Sequence, residues 1–164
     1  MWTVLVCLLC AGCASASSRP GAPTSAAPTG EAAAALEVAH AALAAISRED
    51  MVAFTDLMID EALVLPVSER NGTVRYAAST RAAERARTFD VDIVERGFDP
   101  TVHVAGGVAS VWLPYDLYID GAWSHCGVDT FTMVRVGDAW RIASLAWTVE
   151  QPPQCSRHPD GPPP

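Results

Sequence analysis

The sequence predicts an α+β domain, helices first and then a long antiparallel sheet on which they pack. Two observations carry the prediction. Between Val102 and Glu150, Gly106-Gly107, Asp120-Gly121 and Gly137-Asp138 break the chain into four runs rich in Val, Ile, Thr, Trp and Tyr. Gly-Gly and Asp-Gly between such runs signal hairpins, because a type I′ turn needs φ > 0 at both central residues. Upstream, Leu36, Ala39, Leu43 and Ile46 recur at helical spacing within Glu31–Ile46. A length of 164 residues fits one domain, and 50% hydrophobic residues suffice for a core.

The chain opens with MWTVLVCLLCAGC, residues 1–13, a short apolar run ending in small residues and a cysteine. It is too short for a mature membrane-spanning helix and fits the apolar region of an export signal. Ala11-Gly12-Cys13 resembles the lipobox of bacterial lipoproteins, with Cys13 as the lipidation site. Cys10 stands where that motif usually has Leu, and no Arg or Lys precedes the apolar run. Residues 14–30 are rich in Ser, Pro, Ala and Gly and read as a flexible tether. The expected location is therefore the cell envelope, held to a membrane through Cys13, or outside the cell.

The folded domain is expected over residues 31–150. After the first helix, Ser47-x-x-Asp50 resembles a capping box for a second, with Met51, Phe54, Leu57 and Met58 as its buried stripe. Ala62–Leu65 reads as a short buried strand stopped by Pro66, and Ser68–Thr73 as a loop around Asn71-Gly72. Ser79–Thr88 reads as a third helix whose Arg81, Glu84 and Arg85 form a solvated face. Phe89–Val94 alternates as a strand before the Asp99-Pro100 turn, and the four-strand meander follows. Residues 151–164 form a Pro-rich tail that cannot join a central strand.

The net charge is −8, and all 11 basic residues are arginine, scattered without a stripe. That excludes nucleic acid as an expected partner. Nothing points to a cofactor. A lone strand histidine with two aspartates lacks the several histidines of a usual metal site. His40, His103 and His158 are scattered and read as incidental.

Counting outward from two-residue turns gives a register. Asp116 falls opposite His125, Trp112 opposite Asp129, Asp129 opposite Ala146 and Gly127 opposite Thr148. With period-two alternation, one face carries Trp112, Asp116, Tyr118, His125, Asp129, Phe131, Met133, Trp140, Ile142 and Thr148. The other carries Val111, Leu113, Tyr115, Leu117, Val128, Val134, Leu145 and Trp147. Two apolar faces suggest that one packs on the helices and the other meets a second subunit, a homodimer. A bulge between Asp116 and His125 would reverse the assignment.

The order helix, helix, strand, short helix, meander resembles the nuclear transport factor 2-like superfamily over residues 31–150. Val108–Gly121, Ser124–Arg135 and Gly137–Ser144 look like its uncharacterised, SnoaL-like bacterial branch of exported proteins. The resemblance implies a cone: a curved mixed or antiparallel sheet wrapped around three N-terminal helices, with a pocket at the open end. In such folds the Trp and Ile of a motif like Trp140-Arg141-Ile142 point inward, which would make the first face concave. The expected pocket residues are then Trp112, Asp116, Tyr118, His125, Asp129, Trp140 and Thr148.

The function this implies is binding of a small, mostly apolar molecule, with His125 and Asp129 orienting a polar group. A carboxylate beside His125 would favour the protonated imidazole. One alternative is a dimeric interaction module without catalysis. Another is an enzyme of the isomerase or dehydratase kind using His125 and Asp129. Matching Asp60-Glu61-Ala62 to the ketosteroid isomerase pattern puts Leu65 where the general base stands. An apolar side chain cannot abstract a proton, which counts against that mechanism.

Cys126 and Cys155 are the cysteines downstream of Cys13. Export would bring them into an oxidising compartment, and a tail folding back at Pro152-Pro153 would let them pair. Cys126 as a nucleophile beside His125 is the sharper alternative, but strand neighbours point to opposite faces. The disulfide is the expectation.

Overall fold

The computed structural model describes residues 27–164. The expectations for residues 1–13, for Cys13 and for most of the tether lie outside them. The helices are α1 (Glu31–Ile46), α2 (Met51–Asp56) and α3 (Arg81–Arg85). The strands are β1 (Met58–Arg70), β2 (Thr73–Tyr76), β3 (Ser79–Thr80), β4 (Ile93–Gly97), β5 (Thr101–Ala105), β6 (Val108–Ile119), β7 (Ala122–Val136) and β8 (Ala139–Val149). They form one mixed sheet ordered β2-β1-β8-β7-β6-β4, with β3 beside β1 and β5 beside β6. β1 and β8 run parallel and the other pairs antiparallel. α1 touches β4, β5, β6 and β8, so the sheet curves around it. This is the α+β cone that the sequence predicts.

Small side chains make the wrap possible. Ala35, Ala39, Ala42 and Ala45 on α1 are fully buried, which lets the helix approach the sheet closely. Glu31 opens α1, favourably placed for the helix dipole. Its carboxylate accepts hydrogen bonds from Arg135 (2.7 Å) and from Trp140 Nε1 (2.9 Å), tying the helix start to β7 and β8.

Several local expectations change. The cap of α2 is Asp50, whose carboxylate accepts from Ala53 N–H at 2.9 Å. Ser47 instead caps the end of α1, and its Oγ accepts from Glu95 N–H (2.9 Å) while donating to Glu95 C=O (3.3 Å). β1 runs through Pro66 rather than stopping there. Its outer partner switches from β3, paired at Leu63 and Val64, to β2, paired from Val67, so Pro66 sits where no outer ladder needs its N–H. The expected loop at Ser68–Thr73 is a tight hairpin on Asn71-Gly72, with φ of 53° and 72°. The third helix is shorter than Ser79–Thr88, because Ser79 and Thr80 pair with β1.

The charges on α3 are not simply solvated. Arg81 donates to Asp60 (2.7 Å) and to Thr55 C=O (2.7 Å), and Arg85 donates to Asp56 (2.6 Å) and Thr55 Oγ1 (2.9 Å). These bonds bolt α3 to α2 and β1. Glu84 is 2% exposed and pairs with Arg87 at 2.7 Å.

Two bulges decide which side chains face inward. The β6–β7 register holds from Ile119 opposite Ala122 to Tyr118 opposite Trp123, then slips at Ser124, so Leu117 lies opposite His125. The β7–β8 register slips at Ala143, so Asp129 lies opposite Trp147 rather than Ala146. Each slip reverses parity beyond it. The concave face therefore combines Val111, Leu113, Tyr115 and Leu117 of β6 with His125, Asp129, Phe131 and Met133 of β7. Trp140, Ile142, Leu145 and Trp147 of β8 complete it.

The tail lies on the convex face. Cys126 and Cys155 form the expected disulfide, with Cα atoms 5.8 Å apart. Cys126 pairs with Glu150 rather than Val149, again one residue displaced. Asp116, fully buried, accepts a bidentate pair from Arg96 (3.0 and 2.7 Å) and a bond from His158 N–H (3.0 Å). Arg96 also donates to Gly161 C=O at 2.7 Å, and Arg157 stacks 4.1 Å over the Trp123 ring. His158 packs edge-on against Phe98, so it is part of this clasp rather than incidental.

Candidate functional site

The concave face lines a cavity of about 220 Å³, open to solvent, between α1, α2, the α3–β4 connection and the sheet. Phe54, Ile46, Phe89, Ile119, Leu145 and Trp147 give it apolar walls. The polar groups at its wall are few: Glu84, Arg87, Glu95, His125 and Asp129. A wider groove of about 690 Å³ runs between the β1–β2 hairpin and the tail. None of those five side chains lines it, so the cavity in the cone, apolar with a few converging polar groups, is the better candidate.

Register explains how the polar groups meet. Glu95 on β4 pairs with Leu117 on β6, and Leu117 pairs with His125 on β7, so the three form one row on the concave face. The next row is Gly97, Tyr115 and Gly127. Tyr115 lies in this row with its hydroxyl donating to Thr148 C=O on β8 at 2.7 Å, reaching across β7 at Gly127. A Cβ on Gly127 would run into the Thr148 carbonyl, so only glycine fits there. The row after that places Asp129 between Leu113 and Trp147. Ser47, at the end of α1, holds the Glu95 backbone and thereby aims its side chain.

Asp129 is 1% exposed, and its Oδ2 is one of two buried side-chain polar atoms without a hydrogen-bond partner among the described residues. Burial, then the nearby Glu95 charge, raises its pKa well above the usual aspartate range. Burial pushes Glu95 up to about 7. Burial also lowers His125, whose Nδ1 lies 3.0 Å from Ser124 Oγ and whose ring packs edge-on to Tyr115. The expectation of a protonated imidazole is thus reversed, because desolvation by burial disfavours the charged ring. Tyr115 is raised as well, first by burial and then by Glu95, Asp129 and Glu150. Near neutral pH the cavity therefore favours a neutral imidazole, a protonated Asp129 and a Glu95 close to its midpoint.

His125 and Asp129 line the cavity, as the sequence suggests. Trp112, Asp116, Tyr118 and Thr148 do not, because the slip at Ser124 leaves the β6 residues facing outward and the slip at Ala143 does the same to Thr148. Trp112 is 52% exposed on the convex face, and Asp116 and Tyr118 lie under Arg96. Trp140 points inward but at the other end of the sheet, against Glu31. The residue that sequence reasoning missed is Glu95. The alternation in Ile93-Val94-Glu95 marks it as sharing a face with buried Ile93, but only the pairing of β4 with β6 shows which face.

Comparison with solved structures identifies the architecture. An NTF2-like protein from Cytophaga hutchinsonii superposes with a TM-score of 0.60 at 12% identity, over 74% of this chain and 99% of that one. The fold is that of the nuclear transport factor 2-like proteins. An NTF2-like protein with a cystatin-like fold from Novosphingobium aromaticivorans gives 0.58 at 16% identity, over 73% and 82%. A ketosteroid isomerase-like protein from Erwinia carotovora atroseptica gives 0.55 at 16%, over 74% and 98%. A scan against family models and a search of curated proteins both find no match.

Proposed function

We propose that this nuclear transport factor 2-like domain binds one small, mostly apolar molecule in the cone, its polar end between Glu95, Asp129 and His125. The observation that carries the reading is Asp129: a buried carboxyl facing an apolar cavity with no hydrogen-bond partner for Oδ2. Leaving such a group unpaired costs about 1–3 kcal/mol, which a ligand donor would recover. An apolar cavity of about 150 Å³ holds benzene, so about 220 Å³ suits a single-ring molecule with a short polar arm.

The apolar run at residues 1–13 supports export with lipid anchoring at Cys13, and the Cys126–Cys155 bridge fits an oxidising compartment. Exposed Trp112 and Leu63 on the convex face support a homodimer formed there. A second reading, acid–base catalysis of the isomerase or dehydratase kind, is favoured by one observation. Glu95 at about 7 is poised to exchange a proton at neutral pH beside Asp129 and His125.

Isothermal titration with cyclohexylmethanol tests the pocket, comparing wild type with Leu117→Trp, which fills the cavity from its wall. Saturable one-to-one binding lost in a folded Leu117→Trp is the expected result. Equal heats for both proteins would overturn the reading.

A further inference from the structure

We propose that the polar end of the ligand is a protonated amine, held between the side chains of Glu95 and Asp129 with its apolar body against Trp147, Phe54 and Phe89. The inference rests on the pocket reading and specifies the ligand class. Among the described residues neither carboxyl has a hydrogen-bond partner. Glu95 is held only through its backbone by Ser47, Asp129 Oδ2 is unpartnered, and the two are not bonded to each other. Two carboxyls that line one cavity and lack donors are complementary to a group with several N–H donors and a positive charge. A hydroxyl offers a single donor and can satisfy only one of them.

The charge balance points the same way. From the α3 side the cavity is faced by Glu84 and Arg87, which pair with each other at 2.7 Å and cancel. α1 and α2 contribute no charged group to the wall, and β8 contributes Leu145, Trp147 and Val149. On the sheet, His125 is neutral and Tyr115 keeps its proton, while Glu150 beyond β8 adds negative potential. Among the described residues no cation therefore compensates Glu95 and Asp129. The aromatic rings beside them favour a bound cation further.

Uptake of an ammonium group would ionise both carboxyls, so at least one proton leaves to solvent for each ligand bound. Cyclohexylmethylamine and cyclohexylmethanol have the same shape and differ only in the polar group. Titrated into the wild-type protein at pH 8, the amine is expected to bind at least tenfold more tightly than the alcohol. Its affinity should fall at least about tenfold per pH unit between pH 7 and 6, one proton's worth or more. Heats measured in phosphate and in Tris should differ by the ionisation enthalpy of one or more protons. Asp129→Asn and Glu95→Gln should each erase the amine's advantage over the alcohol, measured as the ratio of the two affinities in each variant. If the alcohol binds and the amine does not, or the amine binds without proton release, the amine proposal falls and the pocket stands. If neither binds, both fall.

Discussion

Glu95→Gln should stabilise the empty protein, and by an amount that grows with pH. In the folded state burial holds Glu95 at about 7, against 4.5 when exposed. The folded state therefore retains a proton that the unfolded chain releases, and stability contributed by the neutral carboxyl is lost as pH rises from about 4.5 to about 7. At 1.36 kcal/mol per unit, the wild type forfeits roughly 3 kcal/mol across that window. Glutamine keeps the shape and never ionises, so it avoids the loss. It also removes the charge that helps to raise Asp129. His125 acts in the opposite direction: its lowered constant means stability is lost as pH falls below about 6.5, which is common to both proteins and cancels in the comparison. Urea unfolding followed by tryptophan fluorescence should show the two proteins nearly equal at pH 4.5. By pH 8 the variant should lead by roughly 3 kcal/mol. A constant difference between the two across that range would refute the assignment of Glu95 as a half-buried, uncompensated acid.

Other outcomes follow from the same geometry. Cys155→Ser opens the loop closed by a bridge of sequence separation 29 and should lower stability by about 3–4 kcal/mol, read from the urea midpoint. Gly127→Ala drives a Cβ into the Thr148 carbonyl and displaces the Tyr115 hydroxyl from it. A loss above about 3 kcal/mol is expected, with reduced soluble yield as the first sign. Asp116→Asn leaves Arg96 and the His158 N–H short of acceptors and should cost about 2–4 kcal/mol. Trypsin should then cut after Arg157 in the variant at concentrations that spare the wild type.

Much of the fold was legible because it is written in local signals. The Gly-Gly, Asp-Gly and Gly-Asp turns and the helical spacing of Leu36 to Ile46 each announce themselves within a short stretch, and the Cys126–Cys155 pair follows from there being two cysteines downstream of Cys13. The site was legible only in part, since inward orientation depends on non-local register. Single-residue slips at Ser124 and Ala143 carry no local mark, yet they send Trp112, Asp116, Tyr118 and Thr148 outward while leaving His125 and Asp129 inside. Glu95 stayed hidden for a related reason. Its neighbours in the site arrive from β6 and β7, more than twenty residues downstream, and its anchor is a serine whose position suggested a helix cap.

Native mass spectrometry of the protein taken from its own host tests the central claim most directly, because it asks what the cavity holds when the chain is made. The account predicts a small adduct on the wild-type chain, absent from Leu117→Trp and reduced in Asp129→Asn. A wild-type chain that emerges at its bare mass, indistinguishable from Leu117→Trp, would contradict it.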